Sequence, residues 1–213
     1  MHQLTCGVIP AKNNRRFTST RFFVCLSSLV LSSVFLYGAD LQVGQRAYEQ
    51  KDYGRAMNEL TPLAHAGNVE AQVLLGKMYM LGQGVPKDAD LGLKWFRAAA
   101  DQGNAQAQFF LGAMYLLPAK DVHEGLRWLR LSAEQGTPDA QLLLGMAYLK
   151  GTDLPHDLVA ADMWLHLAAS KGDKLAPSQC ERAERQMTPD QIAKARTLAT
   201  EWKAKSPASL RND

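Results

Sequence analysis

Cysteine is nearly missing from this chain. There are three among 213 residues, and Cys6 and Cys25 both fall near the N-terminus, leaving Cys180 alone in the remainder. One cysteine closes no intrachain disulfide, so residues 40–213 must hold together by packing. Cys180 is left to pair between chains or to act as a small, partly buried side chain. Charge of one sign is also scarce. The formal net charge is +3, and the excess sits in residues 1–39, where Lys12, Arg15, Arg16 and Arg21 have no acidic companion. The rest carries 20 basic and 21 acidic residues, which excludes the electrostatic footprint of a nucleic-acid binder. No strongly apolar run reaches the roughly 20 residues that a spanning helix needs. Catalytic signatures are missing as well: H-E-x-x-H, C-x-x-C, a Walker A loop, G-x-S-x-G and S-x-x-K. Apolar residues make up 46% and charged residues 21%, an ordinary globular balance that excludes wholesale disorder.

Residues 1–39 have the pattern of a targeting segment. After Arg21 comes an apolar run from Phe22 to Tyr37, interrupted by Ser27, Ser28, Ser32 and Ser33. A basic flank and a short, diluted apolar core are the marks of a signal peptide. The expected cut follows Ala39. Tyr37 is bulky for the third position before a cut, so an uncleaved anchor is the alternative. Either way the protein is expected to be exported, periplasmic or secreted, with membrane contact only through a retained leader.

The remainder repeats. Gly67-Asn68-Val69-Glu70-Ala71-Gln72 is followed by Leu75-Gly76 and Tyr79. Gly103-Asn104-Ala105-Gln106-Ala107-Gln108 is followed by Leu111-Gly112 and Tyr115, and Gly136-Thr137-Pro138-Asp139-Ala140-Gln141 by Leu144-Gly145 and Tyr148. Each copy then reaches a tryptophan: Trp95-Phe96, Trp128-Leu129, Trp164-Leu165. Periods of this length are the signature of a stacked repeat array. Each unit is predicted to be two helices. Asn68, Asn104 and Thr137 are cap residues, and Pro138 suits a first helical position. Ala71, Leu74, Leu75, Met78 and Tyr79 keep the helical spacing i, i+3, i+4, i+7, i+8, as do their counterparts. Gly76, Gly112 and Gly145 interrupt good helices at about 1 kcal/mol each. Their recurrence predicts a close approach of the paired helix.

The pattern A-Q-x-x-L-G-x-x-Y, then G-x-G-V-P-x-D, then W-F/L and A-A-x-x-G, resembles the Sel1-like repeat, a relative of the tetratricopeptide repeat. The resemblance implies an all-α, right-handed α-α solenoid with repeats over 67–102, 103–135 and 136–171. Residues 40–66, with Ala47-Tyr48 and Asp52-Tyr53, resemble a tetratricopeptide-like capping hairpin, and 173–203 resemble the closing helices of exported bacterial members. Thr188 caps and Pro189 starts the last of these, and 204–213 form a tail. The second repeat departs from the family at Leu116–Asp121, where G-x-G is missing. Some family members with paired cysteines are linked to β-lactam binding. This chain lacks those pairs, so that activity does not carry over.

Little in the sequence points to chemistry. His65, His123, His156 and His166 show no metal-binding spacing, and His166 is placed as a packed or surface residue beside Trp164. Glu70, Glu124, Glu134 and Asp162 are assigned to a solvated face. No cofactor and no metal are expected. A helical wheel is more informative. Opposite the packed side of each first helix lie Val73, Lys77 and Met80; Phe109, Ala113 and Leu116; and Leu142, Met146 and Leu149. In a solenoid of this type that side faces the concave surface, where an exposed apolar stripe marks a partner site. Burial of the stripe by tight coiling or by the terminal helices is the opposing reading. The expected function is a non-enzymatic scaffold of the bacterial cell envelope that binds a segment of another protein on its concave face. The alternative is a cell-wall ligand-binding protein or hydrolase.

Overall fold

Nearly every helix begins at a side-chain oxygen. In the computed structural model, which describes residues 40–116, 121–151 and 153–205, there are ten helices among the described residues. They are α1 (Leu41–Glu49), α2 (Tyr53–His65), α3 (Val69–Leu81), α4 (Ala89–Asp101), α5 (Ala105–Tyr115), α6 (Val122–Glu134), α7 (Pro138–Lys150), α8 (Leu158–Ser170), α9 (Ala176–Glu184) and α10 (Pro189–Lys205). Asp40, Asp52, Asn68, Asp88, Asn104, Asp121 and Asp157 each accept a backbone N–H from the following turn at 2.8–3.1 Å. Such caps satisfy donors that the helix itself leaves orphaned. Thr137 occupies the cap position of α7, but its side chain makes no cap hydrogen bond; Pro138 presets the first turn instead. Thr188 and Gln191 exchange reciprocal bonds at the start of α10, a capping box. The expected leader at 1–39, loop residues 117–120 and tail residues 206–213 lie outside the described residues. Helix α10 runs to Lys205, past the expected start of the tail.

From α1 to α9, each helix packs on the next. Hairpins α1/α2, α3/α4, α5/α6 and α7/α8 stack so that the second helix of one touches the first helix of its successor. Such one-dimensional stacking is the α-α solenoid. Left-handed glycines open the repeats, with φ of +92° at Gly67, +87° at Gly103, +91° at Gly136 and +89° at Gly172. A side chain is disfavoured there.

The mid-helix glycines do what their recurrence predicts. A Cβ on Gly76 would lie 2.7 Å from the Phe96 ring, one on Gly112 2.8 Å from Leu129 Cγ, and one on Gly145 2.8 Å from Leu165 Cγ. Each hairpin therefore closes to backbone contact, and Phe96, Leu129 and Leu165 are buried in the seam.

A second device ties repeat to repeat. The Nε2 groups of Gln72, Gln108 and Gln141 donate to the carbonyls of Ala64, Ala100 and Ala133, at the end of the preceding hairpin. All three glutamines are buried. Gln102 and Gln135 in turn donate to the Oε1 atoms of Gln72 and Gln108, at 2.8 and 2.7 Å. At the third repeat the equivalent position holds Lys171. It bonds the Gly136 carbonyl, and Gln141 Oε1 is left buried with no partner.

Two acidic residues depart from the expected solvated face. Glu124 accepts from Arg127 Nε and Nη2 and from Trp128 Nε1, each at 2.8 Å, and from Arg97 of the preceding hairpin at 3.3 Å. The Arg127 hydrogen bonds first of all hold its carboxyl at about 2, against an ordinary 4.5. Asp162 is wholly buried. It faces His166 one turn along α8 at 3.1 Å, and this hydrogen bond, with a smaller one that the imidazole makes to Cys180, pushes the imidazole up to about 10. Both acids sit on second helices, Glu124 beside Arg97 of the preceding hairpin and Asp162 facing Cys180 of α9.

The end of the array is irregular. Helix α9 stacks on α8 like the first helix of a fourth repeat, and its Ala176, Cys180 and Ala183 pack on Leu142, Leu149 and Leu165. Helix α10 packs chiefly on α8 rather than on α9, laying Ala199 and Trp202 against Trp164, with the two indole rings 5.9 Å apart. No helix among the described residues is long and apolar enough to cross a membrane.

Three measurements test this account. Gly112→Ala should destabilise the protein by about 1–3 kcal/mol in denaturant titrations through overpacking, although alanine is the better helix former. Lys171→Gln should complete the glutamine ladder and raise stability by about 1 kcal/mol, read as a higher melting temperature. The depressed Glu124 carboxyl gives stability that is whole above pH 4.5 and is lost as pH falls towards 2. Melting curves of Glu124→Gln should therefore lose less between those pH values than those of the parent chain.

Candidate functional site

The stripe picked out on the first helices divides into three rows when the hairpins stack. The row Val73, Phe109 and Leu142 forms a seam between repeats. Val73 is only 4% exposed, among Phe96, Ala107 and Leu111, and Leu142 is 7% exposed beneath α9. Phe109 is half-buried against the core around Leu126 and Leu144. The expectation of solvent-facing side chains fails at Val73 and Leu142. A first helix is flanked by its own partner and by the next repeat, so this row is consumed by stacking. Leu149, in the third row, is also buried, at 8%, because α9 covers it.

The other residues line open grooves. Lys77, Met80 and Ala113 border a groove of about 390 Å³ between α3 and α5, completed by Leu81, Phe96, Phe110 and Met114. Its walls are almost entirely apolar. Leu81, 63% exposed, forms the lip. Lys77 places its Nζ 5.3 Å from the Phe110 ring centroid and donates to Gln106 Oε1 at 3.1 Å. Burial lowers its pKa.

At the next junction, Leu116, Leu143, Met146 and Ala147 border a groove of about 460 Å³ between α5 and α7. Leu149 contributes an edge, and Val122 and Leu126 of α6 form the floor. Met146 is 39% exposed. Lys150, Asp153, Gln179 and Arg182 close the far end. Repeat spacing puts Arg182 on α9 in the row of Lys77, Ala113 and Met146. The apolar strip therefore runs from Lys77 to a polar end where Lys150 and Arg182 stand with Asp153 and Gln179. Helix α5 faces both grooves, with Ala113 in the first and Leu116 in the second.

A third recess of about 470 Å³, lined by Gln45, Tyr48, Glu49 and Glu70 among others, is more polar. Val73 shows only an edge there.

Leu81, Phe110, Leu143 and Arg182 were missed on the helical wheel. A wheel drawn at 100° per residue treats one helix alone, whereas a groove between helices takes residues from both flanks. The signal present in the sequence was the fourth glycine, Gly172, which puts Gln179 and Arg182 in register with Leu143 and Met146.

The family described as Sel1 repeat matches residues 69–104, 105–137 and 138–173, each starting two residues inside the unit read from the glycines. No curated protein matches the chain. Among solved structures, a Sel1 repeat protein from Oxalobacter formigenes shares 33% identity with a TM-score of 0.63, over 66% of this chain and 59% of that one. The protective antigen c5321 of uropathogenic Escherichia coli, which displays an SLR fold, shares 30% identity with a TM-score of 0.67, over 85% of this chain and 41% of that one. The chain thus spans about half the length of these relatives. Sel1 repeats generally mediate protein–protein interaction, and their proteins are typically non-catalytic scaffolds. The chain is a Sel1-like repeat protein, an all-α solenoid built of three such repeats and further helices at either end.

Proposed function

We propose that this solenoid is a scaffold of the cell envelope that holds a segment of another protein along the strip between its first helices. The observation that carries the proposal is the pair of apolar grooves at successive repeat junctions, sharing α5, with Lys77 at one end and Lys150, Arg182, Asp153 and Gln179 at the other. Grooves of this size accept side chains of an amphipathic helix at turn spacing. Met80, Met114 and Met146 give them adaptable walls. The flanking Lys77, Lys150 and Arg182 favour a partner segment that is apolar in the middle and acidic at its ends. Export rests on the basic, serine-diluted leader at 1–39.

The test places a photo-crosslinking residue at Met146 or Ala113 in the native cell, with Lys94, exposed on α4, as control. One dominant adduct from both groove positions, absent at Lys94, is expected. Leu81→Asp combined with Met146→Asp should weaken capture more than about tenfold while leaving the melting temperature nearly unchanged, since both side chains are exposed. Adducts from Lys94 alone, or capture that survives the double substitution, would overturn the proposal.

A further inference from the structure

Where α8 meets α9, each helix presents a pair of side chains one turn apart. Asp162 and His166 come from α8, Cys180 and Glu184 from α9. One ligating atom each from Asp162, His166 and Cys180 lies within 4.8 Å of the other two. His166 Nδ1 is 3.1 Å from Asp162 Oδ1 and 3.2 Å from the Asp162 carbonyl oxygen, and Nε2 is 4.0 Å from Glu184 Oε1. Asp162 is fully buried, and its Oδ2 has no hydrogen-bond partner among the described residues. A buried carboxylate oxygen with no donor is costly. The nearby Arg196 is taken by Glu184 at 2.8 Å.

We propose that Asp162, His166 and Cys180 form a binding site for a zinc-type divalent cation. Sulfur, imidazole nitrogen and carboxylate oxygen are the donor set of a borderline-soft ion that prefers a tetrahedron. Calcium and magnesium would want oxygen alone. Metal–ligand distances of about 2.0–2.3 Å place tetrahedral donors within roughly 4 Å of one another, so small side-chain rotations close the observed spread. The ion would satisfy Asp162 Oδ2. It would also cross-link α8 to α9, the helix that brings Gln179 and Arg182 to the end of the second groove. A nucleophilic role for the same cysteine is disfavoured by access. Cys180 is 7% exposed and lines neither groove. A bare ion needs no substrate channel.

The experiment uses the full chain stripped of metal by a chelator, with Cys6→Ser and Cys25→Ser so that Cys180 is the only thiol. Cobalt(II) should bind at one equivalent with a thiolate-to-cobalt charge-transfer band and the intense visible bands of a tetrahedral site. Zinc in excess should raise the melting temperature by about 2–4 °C or more, and magnesium should not. Cys180→Ser should abolish the charge-transfer band, and Asp162→Asn should weaken zinc binding more than about tenfold. Circular dichroism of the metal-free variants checks that they fold, and the near-isosteric Asp162→Asn carries the test if Cys180→Ser does not. The proposal is overturned by a cobalt spectrum without thiolate character, or by zinc affinity unchanged in both variants, which would mean surface binding only.

Discussion

A buried glutamine carries each of the three joints between successive hairpins. Helix hairpins alone would stack by apolar contact and could slide, because dispersion and area burial have little direction. The side-chain amides of Gln72, Gln108 and Gln141 reach back to a carbonyl at the end of the preceding hairpin. That carbonyl belongs to the last turn of a helix, where intrahelical donors have run out. One bond therefore adds to the glycine N–H that each of these carbonyls already accepts, orders a side chain and sets the rotation of one repeat on the next. The glycines one turn further along do the complementary work inside each hairpin, by letting backbone meet side chain at van der Waals distance. With both constraints in place, the spacing of the first helices is fixed, and so is the width of the grooves between them.

Groove composition follows from that spacing. A first helix spends one flank on its own partner and one on the next repeat, which swallows Val73 and Leu142. What remains open is a narrow row, and this chain fills it with Met80, Ala113, Leu116 and Met146 instead of polar residues. Charged and polar side chains take over only at the ends. The second helices carry the polar architecture instead. There, Glu124 gathers Arg97, Arg127 and Trp128 across two hairpins.

The array ends by changing its pattern. Helix α9 keeps the register of a first helix but shows Gln179 and Arg182 where its predecessors are apolar. Helix α10 crosses to α8 and covers Trp164 with Trp202. Lys171 replaces the ladder glutamine at this boundary, and the charged cluster of Asp162, His166, Glu184 and Arg196 fills the junction. Where the repeat pattern changes, polar chemistry joins part of the interface between α8 and α9.

The two-helix make-up of the repeats and the role of Gly76, Gly112 and Gly145 were legible in the amino-acid order. They depend on local rules: cap residues, helical periodicity and a spacing that recurs. The stripe was legible as nine positions but not as a surface, since a wheel knows one helix and burial depends on its neighbours. The same limit hid Asp162. It looked like a solvated acid because its partners lie one turn away on α8 and on α9, and nothing local announces that α9 will pack there. The sequence by itself determined the repeat, the hairpin and the family. Only the tertiary structure decided which residues of the stripe remain open and which acids lose their water, because exposure belongs to pairs of helices brought together by stacking.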